Sequence, residues 1–359
     1  MIDMTSLDPA KIEAAVGKTF GELGVSVTGP LIVLGDRLGL WAALAGAGPT
    51  TPAQLAERTG LNERYLREWL RGVSVAGYLD YDPASAAFTL SGEMAMVLAT
   101  DAAPTALIGV FAGFEALWAD LPRIEGYFRS GEGMGWGDHH PAMAGSQERF
   151  TRPIYEAALA GAWLPAAEAA HAALGAGGTL LDVGCGRGVA SLVIARAYPA
   201  GRIVGVDTDA AAVAHARKAA ADAGLADRVS FEVADAKALP GGRYDVVLFS
   251  DSLHDMGDPA AAVASAGRVL AGDGTILVIE PHAADRFEDD FTNPYARIGY
   301  AISTMACLPS ALAQPGGAGL GAMAGETRLR GVLGEGGMTR VRRVATEAAP
   351  FNIVLEARP

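Results

Sequence analysis

The chain has 359 residues, half of them apolar, with 28 basic against 41 acidic side chains and a formal net charge of −13. That length leads us to expect about two domains with sizeable cores, and the acidic balance argues against binding driven by nucleic-acid phosphates. The two cysteines, Cys185 and Cys307, form no CxxC pair, so neither a disulfide framework nor a cysteine zinc site is implied, as suits a reducing cytoplasm. Met1-Ile2-Asp3-Met4 lacks a basic-then-apolar signal pattern, and no apolar run approaches the ~20 residues of a membrane span.

The N-terminal part reads as mostly helical, with periodic apolar positions over Lys11–Leu23 and Thr28–Ala45. Thr51-Pro52-Ala53-Gln54 has the spacing of a capping box with proline in the first turn, and Gly60 ends that helix. Asn62 can cap the next, Glu63 to Ala76. Two short strands, Tyr78–Tyr81 and Ala87–Leu90, then flank Asp82-Pro83, which completes a helix-turn-helix with a wing. Arg64, Arg67 and Arg71 on the second helix would serve DNA recognition, but Glu63 and Glu68 dilute that basic face. We therefore expect dimerisation and a substrate wall from this module, with nucleic acid an unlikely partner. Ile32, Val33, Leu34, Leu38, Leu40, Trp41 and Leu44 are more apolar than one amphipathic face requires, which points to a homodimer.

Residues from Thr105 to Ala173 read as a helical connector rich in aromatics: Phe111, Phe114, Trp118, Tyr127, Phe128 and Trp136. Ser130–Gly137 is a glycine-rich loop, and His139-His140 after it reads as a surface loop rather than a metal site. No metal ligand set is expected anywhere in the chain.

From Thr179 onward strand and helix signals alternate, which predicts an α/β fold with a parallel sheet. Thr179–Val183 runs into the loop Gly184-Cys185-Gly186-Arg187-Gly188, and a helix follows over Val189–Ala197. Such a loop admits a ligand close to the backbone, and a nucleotide-like ligand suits the strand–loop–helix corner. The glycines fall as G-x-G-x-G, not as the dinucleotide spacing G-x-G-x-x-G. Further strands are expected at Arg202–Asp207, Val229–Asp235, Tyr244–Asp251, Gly274–Pro281, Met338–Ala345 and Phe351–Glu356. Asp207, ending the second strand of this series, suits a ribose diol because one carboxylate can accept from both hydroxyls.

Asp182 with the following glycines resembles motif I of the class I S-adenosylmethionine-dependent methyltransferases, and the strand-end acids fall in register with it. The resemblance covers about Leu164 to Pro359. It implies a Rossmann-like sheet of seven strands, the last antiparallel, behind an N-terminal, mostly α winged-helix domain. It implies S-adenosylmethionine as cofactor, held by Asp182, Gly184, Cys185, Gly186, Asp207, Thr208, Asp235, Ala236 and Ser250. The two-domain order is similar to that of small-molecule O-methyltransferases and of related actinobacterial methyltransferases. In those enzymes a His-Asp pair follows the fourth strand, where this chain has His254-Asp255; the tryptophan usual next is Met256 here. His254 is thus the expected general base, oriented by Glu280 or Asp251. Asp251, His254, Tyr295 and Met305 are expected on the side of the small-molecule acceptor.

The domains implied are residues 1–163 and 164–359, with an insertion over about 282–325 acting as a lid. The expected activity is methyl transfer to a hydroxyl of a secondary metabolite, in the cytoplasm and without a membrane partner. N- or C-methylation, a regulator that senses S-adenosylmethionine and binds DNA, and a nicotinamide oxidoreductase remain the rival readings; for the last, no Tyr-x-x-x-Lys pair is visible.

Overall fold

The computed structural model describes residues 7–344 and 351–359. The opening Met1–Met4 and the strand end expected at Ala345 lie outside the described residues. Contacts divide the chain into two units, Met1–Phe114 and Glu115–Pro359.

In the first unit, the two expected N-terminal helices are one, Pro9–Arg37, continuous through Pro30, followed by Leu40–Leu44. Proline removes one helical hydrogen bond, but the helix beyond it is anchored from outside. Trp41 and Trp69 donate their indole N–H groups to the carbonyls of Ile32 (3.0 Å) and Leu31 (2.8 Å). Gly35 makes room for these rings, since a Cβ there would lie 2.4 Å from Trp41 Nε1.

The helix-turn-helix forms as its caps dictate. Thr51 and Gln54 exchange the two hydrogen bonds of a capping box at the start of Pro52–Thr59, Gly60 closes that helix at φ 71°, and Asn62 caps Glu63–Val75. The wing is the antiparallel pair β1 (Asp80–Asp82) and β2 (Ala87–Thr89). Ile32, Leu40, Trp41 and Leu44, expected at a dimer face, are instead buried in this unit's own core with Leu55, Leu66, Leu70 and Phe88. The exposed large apolar side chains of the long helix are Ile12, Val16, Phe20, Leu23, Val25, Val27 and Leu34, and Leu38 just beyond it is exposed too.

The second unit is a seven-stranded sheet made of β3 (Thr179–Val183), β4 (Arg202–Asp207), β5 (Val229–Val233), β6 (Tyr244–Ser250), β7 (Leu270–Pro281), β8 (Arg340–Arg343) and β9 (Asn352–Arg358). The order is β5-β4-β3-β6-β7-β9-β8; β9 runs antiparallel to both neighbours and the other pairs are parallel. This is the Rossmann-like arrangement with its last strand reversed. One face is covered by helices 189–197 and 210–222, the other by 259–269 and 325–335.

The unit boundary falls ahead of the expected residue 163. The reason lies in the packing of the helices before β3: Leu159, Trp163, Leu164 and Leu174 share one core with Leu180, Ile194 and Leu248 of the sheet unit. The chain runs from β3 outward through β4 to β5 and then crosses back over β3 to β6 on its other side. That strand-order reversal opens the crevice at the carboxyl ends of the strands where ligands bind in such sheets.

Candidate active site

A cavity of about 400 Å³ lies over the ends of β3, β4 and β6. Register explains its position: Val183 pairs with Val206 on one side and with Phe249 on the other, so the loop after β3, Asp207 and Ser250 stand side by side. The cavity wall includes Asp182, Gly184, Cys185, Gly186, Asp207, Thr208, Asp235, Ala236, Ser250 and Asp251.

The glycine loop is shaped by three left-handed residues, Gly184 (φ 74°), Gly186 (φ 51°) and Gly188 (φ 80°). Each glycine has its own reason. A Cβ on Gly184 would come within 2.6 Å of Ser252, and one on Gly188 within 2.7 Å of Phe231, whereas one on Gly186 would meet no atom within 4 Å. Gly186 is thus bare on its open side.

The loop is pinned to β4. The N–H groups of Gly184 and Cys185 both donate to the Val206 carbonyl, at 2.8 and 3.0 Å. Asp207 Oδ2 accepts from the Gly186 N–H at 2.8 Å, and its Oδ1 from the Asp209 N–H at 2.9 Å. These bonds occupy one site on each oxygen and leave lone pairs for a ligand. Burial raises the Asp207 pKa against the pull of these backbone donors. Asp182 accepts from Ser191 Oγ at 2.6 Å; burial pushes its pKa to about 6 despite that bond, with the charge of Asp207 adding to the rise. Asp182 therefore ties β3 to the following helix. Asp235 accepts from the Lys237 N–H at 2.8 Å, presenting Ala236 at the wall.

A second group forms at the end of β6. Tyr155 donates to Asp251 Oδ2 at 2.6 Å and accepts from Ser250 Oγ at 2.8 Å, while Asn352 donates to Asp251 Oδ1 at 2.9 Å. Asp251 adopts φ 48°, rare for a residue with a side chain, of the kind that clusters at functional sites. Burial and then the charge of Glu280 bring its pKa to about 6. Tyr155 is a site residue that the sequence did not reveal. It belongs to Tyr155–Trp163, a π-helical turn inside what reads as a plain connector helix.

His254 lies behind the wall, 4% exposed and absent from the cavity lining, whereas its neighbour Asp255 belongs to the lining. Its Nδ1 is hydrogen-bonded to Glu280, which also accepts from the Leu253 N–H at 2.8 Å. Of the two candidates for orienting the ring, Glu280 holds the place. His254 Nε2 is 3.2 Å from Asp255 Oδ1. Burial disfavours the imidazolium, but Asp255 and Glu280 outweigh it and raise the His254 pKa well above its usual value.

Tyr295 and Met305 do not line this cavity; Tyr295 packs on Phe351 with ring centroids 4.2 Å apart. The insertion they belong to is helical over Ala296–Ile302, Ser303–Cys307 and Leu308–Leu312, and it reaches the wall through Gln314 and Pro315 instead. Gln314 donates to the Asp255 carbonyl at 2.7 Å and accepts from the Gly257 N–H at 3.2 Å. His139, read as part of a surface loop, is buried, because Asp120 accepts from its Nδ1 at 3.0 Å and from the His140 N–H at 3.0 Å.

Comparison with known proteins identifies domains of two kinds in the chain. Residues 174–315 match the family model of a methyltransferase domain, and residues 26–100 that of an Rv2258c-like winged helix-turn-helix domain. Over 107 residues the chain is 38% identical to the 27-O-demethylrifamycin SV methyltransferase of Amycolatopsis mediterranei, covering 29% of this chain and 39% of that one. The chain spans about two fifths of the length of the curated relatives it matches. Its fold is similar to that of the mitomycin 7-O-methyltransferase MmcR, with a TM-score of 0.67 at 22% identity over 98% of this chain and 100% of that one. It is also similar to human N-acetylserotonin methyltransferase in complex with SAM, with a TM-score of 0.69 at 17% identity over 100% and 99% of the two chains. This chain carries an Rv2258c-like winged helix-turn-helix domain followed by a methyltransferase domain.

Proposed function

We propose that the chain transfers the methyl group of S-adenosylmethionine to a hydroxyl of a small molecule. The observation that carries this reading is the corner formed by the glycine loop and Asp207 at one end of the cavity. Gly186 leaves backbone bare for close approach, Asp207 keeps acceptor capacity for a diol, and we assign Asp235 with Ala236, which line the same cavity, to the adenine ring. S-adenosylmethionine supplies a methyl group on a sulfonium, already a good leaving group. The chain's own tasks are to align the acceptor oxygen with that methyl and to take the hydroxyl proton as the C–O bond forms. We assign the proton to the Asp255 carboxylate at the wall, with the His254 imidazolium, held by Glu280, paired to it from behind. The names of the relatives support an oxygen acceptor, and the complex of the human neighbour supports the cofactor.

Calorimetry tests the cofactor directly. S-adenosylmethionine should bind with one site per chain while NAD gives no heat of binding; the reverse outcome would make the chain a nicotinamide oxidoreductase. The winged helix offers little to an operator, since Arg64 and Arg67 are engaged by Glu68 and Glu63 on their own helix. A band shift at physiological salt would revive the DNA-binding reading.

A homodimer belongs to the same proposal, with the long helix Pro9–Arg37 as its contact. Phe20 is 76% exposed and Val27 69% exposed there, and Ile12, Val16, Leu23 and Val25 of the same helix are also exposed. Light scattering at micromolar concentration should give twice the chain mass, and Phe20→Glu should shift it to the monomer by burying a charge in the contact. A monomeric parent chain refutes this.

A further inference from the structure

We propose that Asp251, positioned by Tyr155 and Asn352, binds the α-ammonium of the cofactor's methionine part, an assignment that rests on the methyl-transfer reading but shares no group with the Asp255–His254 pair. Asp251 follows β6 on the cavity wall, and three other segments hold it. Tyr155 of the π-helical turn donates to Oδ2 at 2.6 Å, and Asn352 of β9 donates to Oδ1 at 2.9 Å. The Asp251 N–H donates to the Ile279 carbonyl of β7 at 2.8 Å. A φ of 48° at a residue with a side chain persists only where the surroundings over-determine it. Both side-chain partners are neutral, and each carboxylate oxygen keeps a lone pair for a further donor.

The other acids of the wall have partners of their own. Asp209 and Asp258 cap helices through the Ala211 and Ala261 N–H groups, while Asp235, Asp255 and Glu148 face Lys237, His254 and Arg187. Asp207 is engaged by the glycine loop, and Asp182 is bonded to Ser191 at only 1% exposure. Among the described residues Asp251 is left without a basic partner, and burial together with the charge of Glu280 raises its carboxyl to about 6. A cation at this carboxylate favours its ionised form and offsets that burial. S-adenosylmethionine carries two positive groups, a sulfonium and an ammonium, and only the ammonium can donate hydrogen bonds to a carboxylate. The strand order β5-β4-β3-β6 fits the assignment. With adenine at Asp235 after β5 and ribose at Asp207 of β4, the amino-acid part extends over the glycine loop after β3 towards β6 and Asp251.

Calorimetry on the full chain compares S-adenosylhomocysteine with two probes. One is its deaminated analogue, which keeps the carboxylate; the other is methylthioadenosine, which lacks the amino-acid part. Asp251→Asn keeps the side-chain shape and an oxygen for Tyr155, and asparagine tolerates the left-handed φ. It should weaken S-adenosylhomocysteine about 10–100-fold, the loss of a bond to a charged group, and leave both probes unchanged. Unchanged methylthioadenosine binding also shows that the variant is folded. Tyr155→Phe removes a donor that lowers the Asp251 pKa, while Glu280, His254 and Asn352 stay as they are. In the parent, S-adenosylhomocysteine binding relative to methylthioadenosine should fall below about pH 6 as Asp251 is protonated, and in Tyr155→Phe that fall should move to higher pH, which a merely structural loss would not produce. Taking the ratio cancels Asp182, whose carboxyl also lies at about 6 and which ties the loop that both ligands use. If Asp251→Asn binds S-adenosylhomocysteine like the parent, or loses the two probes equally with it, Asp251 does not hold the ammonium. If the parent binds neither S-adenosylhomocysteine nor methylthioadenosine, the cofactor reading falls and this assignment with it.

Discussion

His254→Ala is expected to methylate a hydroxyl acceptor about 10²–10⁴-fold more slowly, the usual contribution of a positioned proton acceptor, while binding S-adenosylmethionine with near-normal affinity. The split follows from position. His254 is out of contact with the glycine loop and Asp207, so the cofactor's binding groups stay intact. Its imidazole sits between Asp255 and Glu280, which together hold it charged. Alanine removes the positive charge that offsets two buried carboxylates, and Asp255 then loses its value as an ionised acceptor at the wall.

The same mechanism distinguishes acceptors. A phenol already ionised at the assay pH has no proton to give, so its loss in the variant should be much smaller than that of an aliphatic alcohol. Added imidazole should restore part of the slow reaction. Near-parental turnover on every acceptor would mean that no proton needs to be taken, as for a neutral amine, and would move the chain away from O-methylation.

Asp207→Ala is expected to weaken S-adenosylmethionine binding by at least tenfold, and by over a hundredfold if both ribose hydroxyls are engaged. Hydrogen bonds to a charged group contribute about 1.5–3 kcal/mol each, and about 1.4 kcal/mol is a factor of ten in affinity. The structure adds a second source of loss. The same carboxylate pins the Gly186 and Asp209 N–H groups, so alanine also loosens the loop. Asp207→Asn separates the two effects: its amide oxygen can keep one backbone bond but cannot accept from both hydroxyls. If Asp207→Ala binds S-adenosylmethionine like the parent, the ribose assignment is wrong.

Some features were legible because the physics behind them is local. The capping box at Thr51–Gln54, the Asn62 cap and the turn at Gly60 are satisfied within a few residues. Apolar runs ending in Asp207 and in Asp251 mark buried parallel strands wherever they later sit in the sheet. The motif loop was legible for the same reason, since each glycine is favoured by its own positive φ, and Gly184 and Gly188 also by close packing.

Other features depend on residues far apart in the chain. Nothing near Pro30 says that Trp41 and Trp69 will hold the helix on its far side, and nothing near His139 says that Asp120 will bury it. Tyr155 reads as one aromatic among several until the sheet brings Ser250, Asp251 and Asn352 to it, 95 and more residues later in the chain. Ile32, Leu40, Trp41 and Leu44 show why apolar excess is ambiguous: burial of their side chains is equally favourable inside a unit or between two copies, and only packing chooses.

The sequence by itself determined the sheet's strands and the glycine-loop corner at the end of β3, because strand periodicity, glycine φ and strand-end acids are properties of short stretches; the reversed last strand was an implication of the family resemblance. Only the tertiary structure decided that His254 stands behind Asp255 with Glu280 at its Nδ1 and with Cys307 beside them. Glu280 and Cys307 come from separate segments, and a side chain's burial, charge and partners are fixed by what packs against it, which no local pattern encodes.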